Sequence, residues 1–228
     1  MDALSPDAVE PPANVLFLHD SRTRTDGCST MCTHDDRTAL LQVSFAGDDV
    51  EPVRGPETHG LLTVGDVIRA AEAAGEPDFT GPVAVDVVSD PTDVAAIGVS
   101  ISNFCKQWYD QRIGVCFHSL DALLRQTDPE TIFEFSYYLN RRLESVGALA
   151  HFHLDPAQHP DRVVAAFGEI FDHTVVDESA SDALPEATDD EVAELLADIE
   201  APESPEYPWE QHGVSEATEE EMERLLGG

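Results

Sequence analysis

Lysine is all but missing from this chain of 228 residues: Lys106 stands alone, and Lys plus Arg total 12 against 46 Asp plus Glu. The resulting formal charge of −34 excludes phosphate backbones and anionic membrane surfaces as partners, because a field of that sign repels both. Scarce lysine with abundant carboxylates points to a halophilic protein, in which concentrated counterions screen the self-repulsion. Long apolar runs are absent too. None approaches the roughly 18 residues of a membrane span, and no basic-then-apolar signal opens the sequence, so a cytoplasmic protein is expected. Cysteine is sparse, with four residues at 28, 32, 105 and 116. Cys105 and Cys116 sit in apolar periodic segments and read as small core residues. Cys28 and Cys32 are four apart, close enough for one helical face, and fit a metal or redox pair; no second pair completes a structural zinc set.

The chain divides into three parts. Residues 1–12 form a proline-containing acidic lead-in that is expected to be disordered. Residues 13–177 alternate strand-like and helix-like segments. Residues 178–228 are an acidic tail in which Arg224 is the single basic residue. Strands are expected at Asn14–Leu18, Thr38–Phe45, Pro82–Val88, in the run ending at His118, at Ala148–Leu154 and at Phe171–Val176. Helices are expected from Thr63 to Gly75, from Thr92 to Arg112, from Pro129 to Val146 and from Asp161 to Gly168. The alternation implies an α/β fold with a mostly parallel sheet sandwiched by helices.

The residues VCFHSLDALLRQTDPETIFEFSYYLNRRLESVGALAHFHLDP, the later FDHTVVDE and the upstream DPTDVAAIGVSISNFCKQW resemble the KaiC-like branch of the RecA superfamily, in particular haloarchaeal (archaeal) proteins labelled HTR-like. The resemblance spans about 13–177 and implies a P-loop NTPase-type sheet. In that comparison Ile113–His118 stands as the Walker B strand, with His118 where a magnesium-binding aspartate belongs. The first strand should be followed by Gly-x-x-x-x-Gly-Lys-Ser/Thr, whose bare amides and lysine cradle phosphates. Here the segment is His19-Asp-Ser-Arg-Thr-Arg-Thr-Asp-Gly-Cys28. Gly27 remains and no lysine follows it. The vestigial nucleotide position therefore comprises His19, Asp20, Ser21, Arg22, Arg24, Gly27, His118 and Ser119. ATP hydrolysis is not expected, while binding of a nucleotide without hydrolysis stays open.

Strand ends in a parallel sheet converge on one crevice. His118, His153 and Asp155 are thereby candidate ligands for a zinc-like metal, with His151 on the same strand face as His153. The same residues also suit solvated strand ends, and no cofactor is required by the pattern. Ser119 adjoins His118 but points to the opposite face, which spoils a nucleophile–base pair. Arg141 and Arg142 suit the negative end of their helix. Phe133, Phe135, Tyr137 and Tyr138 on that helix read chiefly as core.

In the tail, Thr188-Asp-Asp-Glu191 is a capping box ahead of Val192, Leu195, Leu196 and Ile199, and Thr218–Glu221 repeats it before Met222, Leu225 and Leu226. Two short amphipathic helices are expected. Leu195, Leu196, Ile199, Leu225 and Leu226 would then bind either the parent domain or a partner. The function expected from all this is a non-catalytic regulatory or signalling adaptor, working through a protein partner or a homo-oligomer. Its alternatives are a metal-dependent enzyme or sensor built on the His/Asp crevice, and a nucleotide-binding switch.

Overall fold

The computed structural model describes residues 8–21, 26–33, 38–47, 53, 55–72, 77–183 and 188–198. Arg22 and Arg24, Ile199 and the segment in which a second tail helix is expected, with Leu225 and Leu226, lie outside them.

Among the described residues seven strands form one all-parallel sheet: β1 (Ala13–Leu18), β2 (Ala39–Phe45), β3 (Thr58–Val64), β4 (Val83–Val88), β5 (Ile113–Phe117), β6 (Leu149–Leu154) and β7 (His173–Val176). Their order across the sheet is β4-β3-β2-β5-β6-β1-β7. The helices are α1 (Asp26–Cys32), α2 (Val67–Glu72), α3 (Val94–Gln107), α4 (Leu120–Leu124), α5 (Pro129–Ser145), α6 (Asp161–Gly168) and α7 (Asp189–Asp198). The central strands β1, β5 and β6 are buried at every position, as continuous apolar runs require when both faces are covered.

The two faces are built differently. Leu16, Leu18, Leu41, Val43, Val115, Phe117, Ala150 and Phe152 point to the large core, where they meet Ile97, Ile101 and Phe104 of α3, Phe135 and Leu139 of α5, and Val163 and Phe167 of α6. The opposite face carries Val15, Phe17, Leu40 and Cys116, which meet α1 through Met31 and Cys32. This division follows from period two along each strand. β1→β2 crosses the sheet in the opposite direction to β5→β6 and β6→β7, so right-handed crossovers send α1 to the other side.

The helix starts are local chemistry. Asp128 Oδ1 accepts from Thr131 N at 2.9 Å, Pro129 occupies the first turn, and Gly147 at φ +70 ends α5. Phe133, Phe135 and Tyr138 of that helix are buried, so its aromatic surplus serves packing.

One expectation is corrected. Thr63 does not cap a helix: Thr58–Val64 is a strand paired with both β2 and β4, and α2 starts at Val67 after Gly65 turns at φ +81. Leu61, Leu62 and Val64 gain more from a two-sided ladder than the Thr63–Asp66 box offers a short helix. The tail also begins within the fold. Ser179 Oγ accepts from Asp20 N at 3.2 Å, Ala180 is buried, and α7 packs on α6 with Val192 against the main core. Its capping box forms as expected, with Thr188 N donating to Glu191 Oε2 at 2.9 Å. The first tail helix thus docks on its own domain.

Candidate functional site

The parallel register sets the site. Gln42 pairs with Cys116 and Cys116 with His151, so three polar side chains lie in one row on the face that α1 covers. One step further along, Phe17 pairs with His153. Above that row α1 brings Cys28 and Cys32, four residues apart and so on one helical face.

Among the described residues, one group of His, Cys, Asp or Glu ligand atoms lies mutually within 4.8 Å: Cys28, Cys32 and Cys116 Sγ with an imidazole nitrogen of His151. Cys28 Sγ is 3.8 Å from Cys116 Sγ and 4.0 Å from Cys32 Sγ. His151 Nε2 is 3.6 Å from both Cys28 Sγ and Cys32 Sγ. A tetrahedral zinc with Zn–S of roughly 2.3 Å and Zn–N of roughly 2.0–2.1 Å spaces two sulfurs about 3.8 Å apart and a sulfur and nitrogen about 3.6 Å apart. These four distances are thus close to the edges of that tetrahedron. Three thiols and one imidazole suit zinc and other metals that prefer soft donors. With four protein ligands the shell is closed, the arrangement of a structural rather than a catalytic site.

The electrostatics agree with metal-ligand chemistry. Cys28 is pushed far below its ordinary thiol value by hydrogen bonds from Cys116 and Cys32, against burial, with His151 and His153 assisting. Cys116 is pushed well above it, first by burial and then by the charge and hydrogen bonds of Cys28 and Cys32. Half-buried Cys28 is therefore the thiol that gives up its proton more readily, and fully buried Cys116 the one that holds it longer. A dication held by Cys28, Cys32, Cys116 and His151 would stabilise the thiolate forms together.

Beside the cluster runs a row of histidines. His153 Nε2 is 3.7 Å from Cys116 Sγ, and its Nδ1 is 2.9 Å from His19 Nε2. The His118 ring stacks on His153 with centroids 5.7 Å apart, and Gln42 Nε2 lies 3.5 Å from His118 Nε2. Burial pushes His153 down to about 4, so it is neutral near pH 7.

Asp155 is not part of this row. Its Oδ2 accepts from Ser21 Oγ at 2.8 Å and Gln158 Nε2 at 2.9 Å, while its backbone N–H donates to buried Asp121. Against burial, the bonds from Gln158, Ser21 and Ala157 hold its carboxyl below the ordinary range. Asp121 in turn binds His159 Nε2 at 2.7 Å. The four ligand atoms that converge are thus not those of the expected set of His118, His153 and Asp155; Asp155 ties the segments after β1 and β6 together. The sequence hinted at half of it through the Cys28–Cys32 spacing. Cys116 looked like core, and its pairing with His151 depends on a strand register that one sequence does not display.

Ser119, Arg141 and Arg142 make local contacts on their own helices. Ser119 Oγ caps α4 by accepting from Ala122 N at 3.1 Å. Arg141 Nη1 donates to Tyr137 Oη at 3.2 Å, and Arg142 Nη1 is 3.4 Å from Ser145 Oγ. Gly27 lies within α1, and His19 and Ser21 follow β1 as expected. Leu195 and Leu196 fall on α7. No helix among the described residues is long and apolar enough to cross a membrane.

No curated protein and no solved structure matches this chain. One family model, described as a family of unknown function (DUF7504), matches residues 12–176, from just before β1 to the end of β7. The chain belongs to that family, DUF7504.

Proposed function

We propose that this protein is a non-catalytic regulatory module of RecA/KaiC-like design in which a structural zinc ion takes the place of the nucleotide. The observation that carries the reading is Cys28. It follows Gly27 at the start of the helix after β1, where a P-loop lysine would stand, and its sulfur joins Cys32, Cys116 and His151 in a four-ligand group. A lysine there would extend toward phosphate; a thiolate there repels it. β6 lies between β1 and β5, so the strand ends bearing His19, His153 and His118 adjoin one another. In that crevice, an aspartate able to hold magnesium is replaced by His118.

Without hydrolysis, the module acts by binding another protein. The β4 edge supports this, since Val83 and Val85 are exposed there, as are Val67 and Ile68 at the start of α2. The reading as a metal-dependent enzyme is weaker, because four protein ligands leave no open position on the metal for water or substrate.

Elemental analysis of the protein purified from high salt, together with nucleotide binding and turnover assays, tests the proposal. One zinc per chain with neither ATP binding nor hydrolysis is expected. Magnesium-dependent ATP turnover lost in His118→Ala would overturn it.

A further inference from the structure

Three sulfurs surround the proposed metal position, and they differ in access. Cys28 is half-buried, whereas Cys32 and Cys116 are fully buried. Cys105, the fourth cysteine, belongs to the main core on the other side of the sheet. An oxidant arriving from solvent therefore meets Cys28 first. Two sulfurs are near enough to resolve an oxidised Cys28: Cys116 at 3.8 Å and Cys32 at 4.0 Å.

Geometry separates these two. Cys28 and Cys32 share one helix, where residues four apart hold their Cβ atoms about 5–6 Å apart. A disulfide needs about 3.5–4.5 Å, so α1 would have to unwind to form that bond. Cys116 lies on β5, a separate element, so a bond to it does not require α1 to unwind. Resting on the zinc reading above, we infer that Cys28 is a peroxide-reactive site whose oxidation joins it to Cys116 and expels the metal.

The chemistry balances in two steps. The Cys28 sulfur attacks one oxygen of the peroxide, the O–O bond breaks, and a sulfenic acid and hydroxide result. The Cys116 thiolate then attacks the Cys28 sulfur, the S–O bond breaks, and a second hydroxide leaves as the S–S bond forms. Two thiolates lose two electrons, the peroxide gains them, and two protons from solvent complete two waters. Cys32 and His151 are left as ligands, and two donors do not hold zinc against solvent. The oxidised protein keeps α1 pinned to β5 by a covalent bond in place of the metal. Thiol reduction with zinc present reverses the change.

The test uses the full zinc-loaded chain in molar potassium chloride. Hydrogen peroxide is added, zinc release is followed with a chromogenic chelator, and thiol-blocked peptides are mapped by mass spectrometry. Zinc release that tracks the loss of two hydrogens per chain, with a peptide linking Cys28 to Cys116, is the expected result. Cys105→Ala should behave like the wild type, and dithiothreitol with zinc should restore the starting form. Retention of zinc under excess peroxide contradicts the inference, as does a Cys28–Cys32 link or over-oxidation of Cys28 without a crosslink. A chain that takes up no zinc refutes the metal reading instead; peroxide treatment of that metal-free chain then still decides whether Cys28 pairs with Cys116.

Discussion

Removing the metal should cost this protein much of its stability, and the structure sets the scale. The four candidate ligands come from α1, β5 and β6, so unfolding disperses them and a zinc ion held there would bind the native state preferentially. At free zinc a thousandfold above its dissociation constant, linkage contributes about 4 kcal/mol. A domain of this size shifts its Tm by roughly 2–4 °C per kcal/mol, so the melt should move by about 8–16 °C. Cys116→Ala separates ligand loss from packing loss. It removes one buried sulfur, worth about 1 kcal/mol on the scale of a core methylene, and it removes a ligand. The variant should melt within a few degrees of the chelated wild type and gain little from added zinc. The assay is thermal unfolding in molar potassium chloride, with and without zinc, at a fixed protein concentration. Identical wild-type melts with zinc and with excess chelator would refute the reasoning, as would a Cys116→Ala variant that keeps the full zinc-dependent gain.

Other outcomes follow from single features. A Cβ at Gly60 would sit 2.6 Å from Trp108 Cη2 and 2.8 Å from the Phe104 ring, so Gly60→Ala should destabilise by about 1–3 kcal/mol through overpacking, read as a lower denaturation midpoint at unchanged m-value. Burial pushes Cys105 up from 9.0 to about 12. A raised thiol value means the folded state holds the proton more tightly, so this contribution is complete below pH 9 and is lost as pH rises toward 12. Urea midpoints measured across that interval should fall more steeply for wild type than for Cys105→Ala. With a net charge of −34, stability should rise with potassium chloride as counterions screen the carboxylates. A Tm equal at low and molar salt refutes the halophilic reading.

Much of the fold is legible in the chain because its central strands are unbroken apolar runs and α5 carries both its start and stop signals. β3 was hidden by a local rival, since Thr63 and Asp66 spell a helix start while Leu61, Leu62 and Val64 spell a strand; pairing with β2 and β4 decides between them. α1 was hidden by its length, because seven residues with one apolar face give too little periodicity to read. The site was half legible for a related reason. Spacing along one helix announces Cys28 and Cys32, and alternation along β6 places His151 and His153 on one face. That Cys116 sits opposite His151 is set by the β5–β6 register, which is long-range information. Asp155 looked like a ligand because strand-end carboxylates often are. Its hydrogen bonds to Ser21 and Gln158 occupy it instead.

The central claim is that Cys28, Cys32, Cys116 and His151 together hold one metal ion. Zinc-edge X-ray absorption on the protein purified from high salt without added metal tests it most directly. The account predicts one zinc per chain with three sulfurs at roughly 2.3 Å and one nitrogen at roughly 2.0–2.1 Å, and loss of one sulfur from that shell in Cys116→Ala. A metal-free protein, or a zinc surrounded by oxygen ligands and unchanged by Cys116→Ala, would contradict it.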